Sequence, residues 1–247
     1  MESKSQAVEI ATIGLAFAGI FTSFSMRRAG QMRIVIFGVT GNVGRRVAAE
    51  ALRRGHDVVG VVRDPNAVPS PDPRVQLMQG DATDAASVAS VAKGADAVVS
   101  AISPRPSSRG LPQPKLADNV RALIAGLRNA GVKRVLFVGG AGSLEVAPGQ
   151  ALMDQPGFPD AYRPEAEEGR EALRVWRSEA DGLDWTYLSP AAEIGGGERT
   201  GKYRMTNDAF LADGTGKSFI TYEDYAVALL DELENAKHVG RRFGVAY

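Results

Sequence analysis

The sequence predicts an α/β fold, a doubly wound parallel sheet covered by helices on both faces. Three observations carry this reading. From residue 33 onward, short β-branched runs alternate with amphipathic stretches. The stretches close on single glycines, Gly55, Gly94 and Gly131. The first run passes into the first amphipathic stretch through Gly38, Gly41 and Gly44, spaced G-x-x-G-x-x-G. Strands buried on both faces read as continuous apolar runs, which is how RIVIFG (33–38), DVVGVV (57–62) and RVLFV (134–138) read.

Taken in order, strands are expected at 33–38, 57–62, 75–80, 97–102, 134–138, 185–188 and 242–246, giving about seven in one sheet. Helices are expected at 42–54, 84–93, 114–130, 164–180 and 222–234, where apolar residues recur at helical spacing. No repeat and no long linker divides the chain, so residues 32–247 are read as one domain with a small C-terminal substrate lobe. Segments 103–112, 139–163 and 195–217 are rich in Gly, Pro and charge. They follow strands at one edge of the sheet, where α/β proteins place their sites.

Residues 10–24 form an apolar run shorter than the ~20 residues that cross a hydrocarbon core, and no basic segment precedes it. Residues 1–31 are therefore expected to be an extension outside the fold, with a membrane anchor as the alternative, and the protein is expected in the cytoplasm.

Composition removes several chemistries. The chain of 247 residues has no cysteine, which excludes disulfides, thiolate nucleophiles and cysteine metal sites. Its two histidines, His56 and His238, form no metal-binding pair in sequence. With 29 basic and 29 acidic side chains there is no net field to hold a nucleic acid. The expected partner is a small molecule, with neither nucleic acid nor membrane involved and the protein a monomer or homodimer.

The glycine turn has a mechanism. Gly38 permits the exit from the strand, Gly41 lets backbone approach a pyrophosphate, and Gly44 lets the helix lie close on the sheet. The helix N-terminus then offers N–H groups and positive dipole to phosphates. Arg63 ends the second strand, where an acidic residue would take the ribose 2′-hydroxyl of NAD and an arginine would pair with the 2′-phosphate of NADP. Arg63 predicts NADP(H), Arg45 offers a second contact, and the neighbouring Asp64 leaves NAD(H) open. After the third strand, Asp81 can accept from an adenine amino group and Ala82 can pack on its ring; capping the next helix is the other reading of Asp81. Ser100 and Ala101 are small enough for a nicotinamide ribose to pass close by, although small residues there also serve packing.

With Gly38-x-Thr40-Gly41-x-x-Gly44, Arg63, Gly80-Asp81-Ala82 and Tyr187-Leu188-Ser189-Pro190 in order, the chain resembles an atypical short-chain dehydrogenase/reductase. It is most similar to the NADH-flavin reductase group, relatives of biliverdin-IXβ reductase. SFITYEDYAVALLDELE (218–234) and RFGVAY (242–247) resemble that group too, and the resemblance runs from residue 32 to the end. It implies a Rossmann-type NAD(P)H-binding domain whose cofactor residues fall on Gly38, Thr40, Gly41, Asn42, Val43, Gly44, Arg63, Asp81 and Pro190.

One departure bears on mechanism. Ordinary members of the superfamily use Tyr-x-x-x-Lys, the lysine readying the tyrosine to protonate a carbonyl as hydride arrives. No tyrosine here is followed by that lysine. Ser143 follows Gly139-Gly140-Ala141-Gly142, where the superfamily's serine is expected, and Tyr162 falls in the same loop. These two are the catalytic candidates, though Tyr162 packing within its loop is the competing reading. The expected function is an NAD(P)H-dependent oxidoreductase passing hydride to a flavin, quinone or similar acceptor that takes its proton from water. Tyr162, Phe158, Trp185 and Tyr203 are candidate faces for a flavin ring. The alternative is a non-catalytic NAD(P)H-sensing regulator, with a sugar-nucleotide epimerase or dehydratase last, because it needs the missing dyad.

Overall fold

The computed structural model describes residues 29–104 and 115–247. The apolar run 10–24, nearly all of the expected extension 1–31, and residues 105–112 of the first candidate loop lie outside the described residues.

The strands are β1 (Arg33–Phe37), β2 (Asp57–Val62), β3 (Gln76–Gln79), β4 (Ala97–Ser100), β5 (Arg134–Val138), β6 (Glu145–Ala147), β7 (Gln150–Ala151), β8 (Asp184–Ser189), β9 (Glu193–Gly195), β10 (Arg204–Thr206), β11 (Phe219–Thr221) and β12 (Arg241–Ala246). The helices are α1 (Asn42–Arg53), α2 (Ala85–Ala92), α3 (Leu116–Ala130), α4 (Arg163–Glu179) and α5 (Tyr222–Asn235). The central sheet runs β10-β12-β8-β5-β4-β1-β2-β3, parallel throughout except at β10, which pairs antiparallel to β12. The seven expected strands are its seven parallel members. The eighth, β10, and the short pairs β6–β7 and β9–β11 escape prediction because two or three residues carry too little pattern.

Local chemistry sets the helix ends. Asp84 caps α2 by accepting from the Ala86 N–H, and Thr221 caps α5 by accepting from the Asp224 N–H. Gly131 ends α3 in the left-handed conformation with φ 71°. The crossover from β2 to β3 has no helix; its four prolines, Pro65, Pro69, Pro71 and Pro73, forbid one.

Alternation along each strand divides the core into two layers. Val35, Phe37, Val98, Phe137 and Tyr187 face α2, α3 and α4, meeting Leu123, Leu127 and Trp176. Ile34, Ile36, Val99, Leu136 and Leu188 face α1 and α5, meeting Val47, Ala51, Leu229 and Leu230. Each such aliphatic side chain contributes roughly 1.5–3 kcal/mol on burial. The first crossover returns through α1 to β2, and the next step across the sheet from β1 runs the other way, to β4. A crevice therefore opens beyond the carboxyl ends of β1 and β4, where the winding direction reverses.

Candidate functional site

Gly38 leaves β1 with φ 76°, and a Cβ there would lie 2.6 Å from the Ala101 carbonyl oxygen at the end of β4. The backbone thus crosses the crevice at a distance only glycine allows. Its carbonyl accepts from the Gly41 N–H at 3.0 Å. A Cβ on Gly44 would stand 2.1 Å from the same carbonyl, so Gly44 is what lets α1 seat against the turn. Gly41 differs. It is exposed, and a Cβ there would meet nothing closer than the Gly38 carbonyl at 3.2 Å, so its outer side is open. Gly41 caps α1 without a side chain, and no acidic residue stands in the first turn. The amides of Asn42, Val43 and Gly44 donate to no backbone group among the described residues. A diphosphate fits this turn: unused N–H groups, a positive dipole end and no competing carboxylate.

Around the turn, Thr40 is exposed, Val43 half-buried, and Asn42 accepts from the Arg45 guanidinium at 2.7 Å. Arg63, at the end of β2, is exposed and has no hydrogen bond or ion pair among the described residues. Asp81 does not cap α2. Its carboxylate accepts from the Thr83 N–H and hydroxyl at 2.9 and 2.8 Å, while Asp84 caps the helix. Ala82 is buried in the core layer with Phe37, Val61 and Val88. Ala101 lies at the crevice, its N–H donating to the Phe37 carbonyl. Pro190 is buried directly after β8.

The loop after β5 carries Ser143 to the same edge of the sheet. The side chain of Arg242, near the start of β12, is 2% exposed and donates from one Nη to both the Ser143 carbonyl and its hydroxyl, at 2.8 and 2.9 Å. The other guanidinium nitrogens of Arg242 donate to Asp208, which Arg177 also reaches. An open groove of about 510 Å³ lies above this cluster, between the β6–β7 hairpin and the outer face of α4, with Ser143 and Arg242 in its lining. Arg242 was not singled out by sequence reasoning. Its signal was there: a charged residue at an inward position of an otherwise apolar strand.

Tyr162 stands at the start of α4, 55% exposed, and among the described residues no hydrogen bond joins it to Ser143. The other tyrosines have fixed duties. Tyr187 is fully buried, accepts from the Gly140 N–H and donates to the Gly169 carbonyl, and burial pushes its pKa up to about 12. Its ring lies where a Cβ on Gly139 would sit, so that glycine is required. The Tyr225 hydroxyl donates to the Leu188 carbonyl. Two of the expected aromatic faces are misplaced. Trp185 sits at the amino end of β8, stacked on Trp176 in the core, and Tyr203 donates to Asp231 on α5. Only Phe158, with the Arg163 guanidinium over its ring, and Tyr162 remain on the loop.

Segment 195–217 divides in two. Its first half lies flat over α1 and α5, held by four carboxylates. Glu223 accepts from the Gly197 N–H, Glu50 from Arg199, Asp224 from the Gly201 N–H and the Thr200 hydroxyl, and Asp231 from Tyr203. Burial works to raise the Glu50 pKa, but hydrogen bonds from Arg53, Arg199 and Arg54 outweigh it and hold the carboxyl well below the usual range. The second half joins the β6–β7 hairpin, where the Glu145 N–H donates to the Asp208 carbonyl and the Phe210 N–H to the Glu145 carbonyl. Only this half borders the Ser143 loop.

A strand order reversing at β1 and β4, with an open glycine turn at the reversal, defines a dinucleotide-binding Rossmann protein. Residues 38–236 match the NAD(P)H-binding family, and the chain belongs to it. Three solved structures are similar over essentially their whole length, all three names being provisional. A protein from Burkholderia pseudomallei named an exported protein is 43% identical, covering 88% of this chain and 100% of its own, with a TM-score of 0.79. One from Bacteroides thetaiotaomicron named an epimerase is 38% identical, covering 88% and 97%, with a TM-score of 0.77. One from Streptococcus pneumoniae named an NADH-flavin reductase is 30% identical, covering 87% and 99%, with a TM-score of 0.74. No helix among the described residues is long and apolar enough to cross a membrane.

Proposed function

We propose that the protein is an NAD(P)H-dependent reductase of the atypical short-chain dehydrogenase/reductase type, passing hydride to a flavin, quinone or similar acceptor. The observation that carries this is the pairing, at one sheet edge, of an open phosphate-accepting turn with the lack of any tyrosine–lysine couple. When bound, the reduced nicotinamide supplies a hydride. Gly41, Asn42, Val43 and Gly44 hold the pyrophosphate by their backbone. Arg63, exposed and without a partner among the described residues, takes the 2′-phosphate, so NADP(H) is preferred and NAD(H) is the weaker ligand. Asp81 and Ala82 border the adenine, and Ala101 and Pro190 the nicotinamide end. Ser143 faces the acceptor, and the β6–β7 hairpin with residues 204–217 forms the substrate lobe. Tyr162 is dispensable, because a quinone or flavin takes its proton from water. The protein works in the cytoplasm on small molecules, as a monomer or homodimer.

The test is NADPH and NADH oxidation across a panel of flavins and quinones. Turnover with at least one acceptor, faster with NADPH, is expected. Tight NADPH binding with no turnover on any acceptor would overturn the reductase and leave a cofactor-sensing regulator.

A further inference from the structure

We propose that the groove between α4 and the β6–β7 hairpin is a second ligand site, apart from the dinucleotide crevice, which takes a small elongated dianion such as a dicarboxylate or a bisphosphate. The site does not depend on the reductase reading.

The groove holds about 510 Å³, within the ~300–1,000 Å³ usual for small-molecule sites. Arg242, in its lining, belongs to β12, four strand spacings, roughly 19 Å, from β1 and the glycine turn. Residues 38–44, Arg63, Asp81, Ala101 and Pro190 are all absent from the lining, and Ser143 is the one residue it shares with the acceptor side of the reductase site.

The two walls follow from the sequence. Gly149, at φ 74°, turns β6 back into β7, and Gly142 lets the preceding loop lie on α4, since a Cβ there would stand 2.6 Å from the Ala166 methyl. On α4, Arg170, Arg174 and Arg177 follow one another at spacings of four and three residues, so they share one face. Leu173, buried among them, adds an apolar patch to the lining.

The unused hydrogen-bonding capacity of this lining is almost all donor, and that selects the ligand. Arg170 spends one Nη on Asp154 and Arg177 one Nη on Asp208; their remaining guanidinium nitrogens have no partner among the described residues. Arg174 keeps one Nη beyond its bidentate pair with Glu171, which occupies both oxygens of that carboxylate. Glu145 accepts from the Gly149 N–H. Arg242 is fully committed to Ser143 and Asp208. Free guanidinium edges are matched by carboxylate or phosphate oxygens, which they meet in parallel pairs. Arg170 and Arg177 stand two turns apart on α4, about 10 Å. One compact anion does not bridge that distance, whereas a molecule with an anionic group at each end does. The four arginines are balanced by Glu145, Glu171, Asp154 and Asp208, so long-range attraction is weak and affinity comes from directed N–H groups.

Calorimetry on the full chain at low ionic strength, with adipate and fructose 1,6-bisphosphate as probes, tests the site. Millimolar or tighter binding of at least one is expected, and the tighter of the two tells a carboxylate site from a phosphate site. Hexanoate and fructose 6-phosphate, which keep one anionic end each, should bind ~10-fold more weakly than their parents. Arg170→Gln and Arg177→Gln should each weaken the probe by ~5-fold, and together by ~25-fold, with NADPH affinity unchanged. Both side chains are half-exposed, so neither substitution endangers the fold. Each titration is repeated with NADPH present. Displacement of the probe by NADPH would move it to the glycine turn and overturn the second site, as would binding that the arginine variants leave unchanged, or no binding of either probe. None of these results touches the reductase reading, and a wild type inactive on every acceptor would leave this site standing.

Discussion

At its amino end α1 presents backbone N–H groups that nothing among the described residues takes up, whereas toward its carboxyl end Glu50 alone collects Arg53, Arg54 and Arg199. The two ends of one helix are thus treated in opposite ways. A polar group left open beside a crevice has a ligand's worth of hydrogen bonding in reserve. A carboxylate with three cations has none, and its value is in holding the strap of residues 196–203 to the fold. Sequence position says little about which is which, because arginines and small residues occur at both.

The largest expected effect tests the saturated end. Glu50→Gln should destabilise the protein by about 2 kcal/mol, less than a wholly buried pair would cost, because Arg53 and Arg199 still reach water. Denaturant unfolding measures this, and NADPH affinity should not change. The sign with pH follows from the depressed pKa of Glu50. Its contribution is full above the ordinary glutamate value, ~4.3, and is lost as pH falls from there through the much lower value Glu50 has in the folded protein, so the stability gap between wild type and Glu50→Gln should begin to narrow below about pH 5 and keep narrowing to the lowest pH at which the protein stays folded. A constant difference across that range would show that the ion pairs are not its source.

At the open end, Gly41→Val should weaken NADPH binding by about 2 kcal/mol while the fold survives, since a branched side chain would fill the outer side of the turn. Calorimetry on the folded variant checks it, and unchanged affinity would remove the turn from the site. A smaller loss, about 1 kcal/mol, is expected for NADPH on Arg63→Ala, with NADH affinity unaltered, because an exposed charge pair is screened. Equal losses for the two cofactors would deny Arg63 its discriminating role. Smallest of all, Tyr162→Phe should keep turnover within about twofold, against the ~100-fold that a general acid supplies.

The parallel sheet, the five helices and the glycine turn were legible because each rests on a pattern many residues long or on a rigid backbone requirement. RIVIFG and RVLFV could be little else than buried strands, and Gly38 and Gly44 lie within 3 Å of atoms that any Cβ would strike. The substrate side was less legible. Nothing in the sequence tells that Tyr203 and Arg199 turn away toward α5 and α1 while Asp208, a few residues on, turns back toward Ser143. Those directions are set by partners distant along the chain. Trp185 misled for a plainer reason: it opens the expected strand 185–188, and in a parallel sheet the opening residue lies at the end away from the crevice, as its register opposite Val135 on β5 shows.

That register has a spectroscopic consequence. The chain's two tryptophans, Trp176 and Trp185, stack with ring centroids 6.0 Å apart, and both are buried in the core, Trp185 at the end of the sheet opposite the crevice and Trp176 between it and Phe137. Their emission should be blue-shifted in the native protein and should move red in step with loss of the core. Neither ring can touch a ligand at the glycine turn, so direct-contact quenching is not available to report cofactor binding. Intrinsic fluorescence in this protein is an optical gauge of folding.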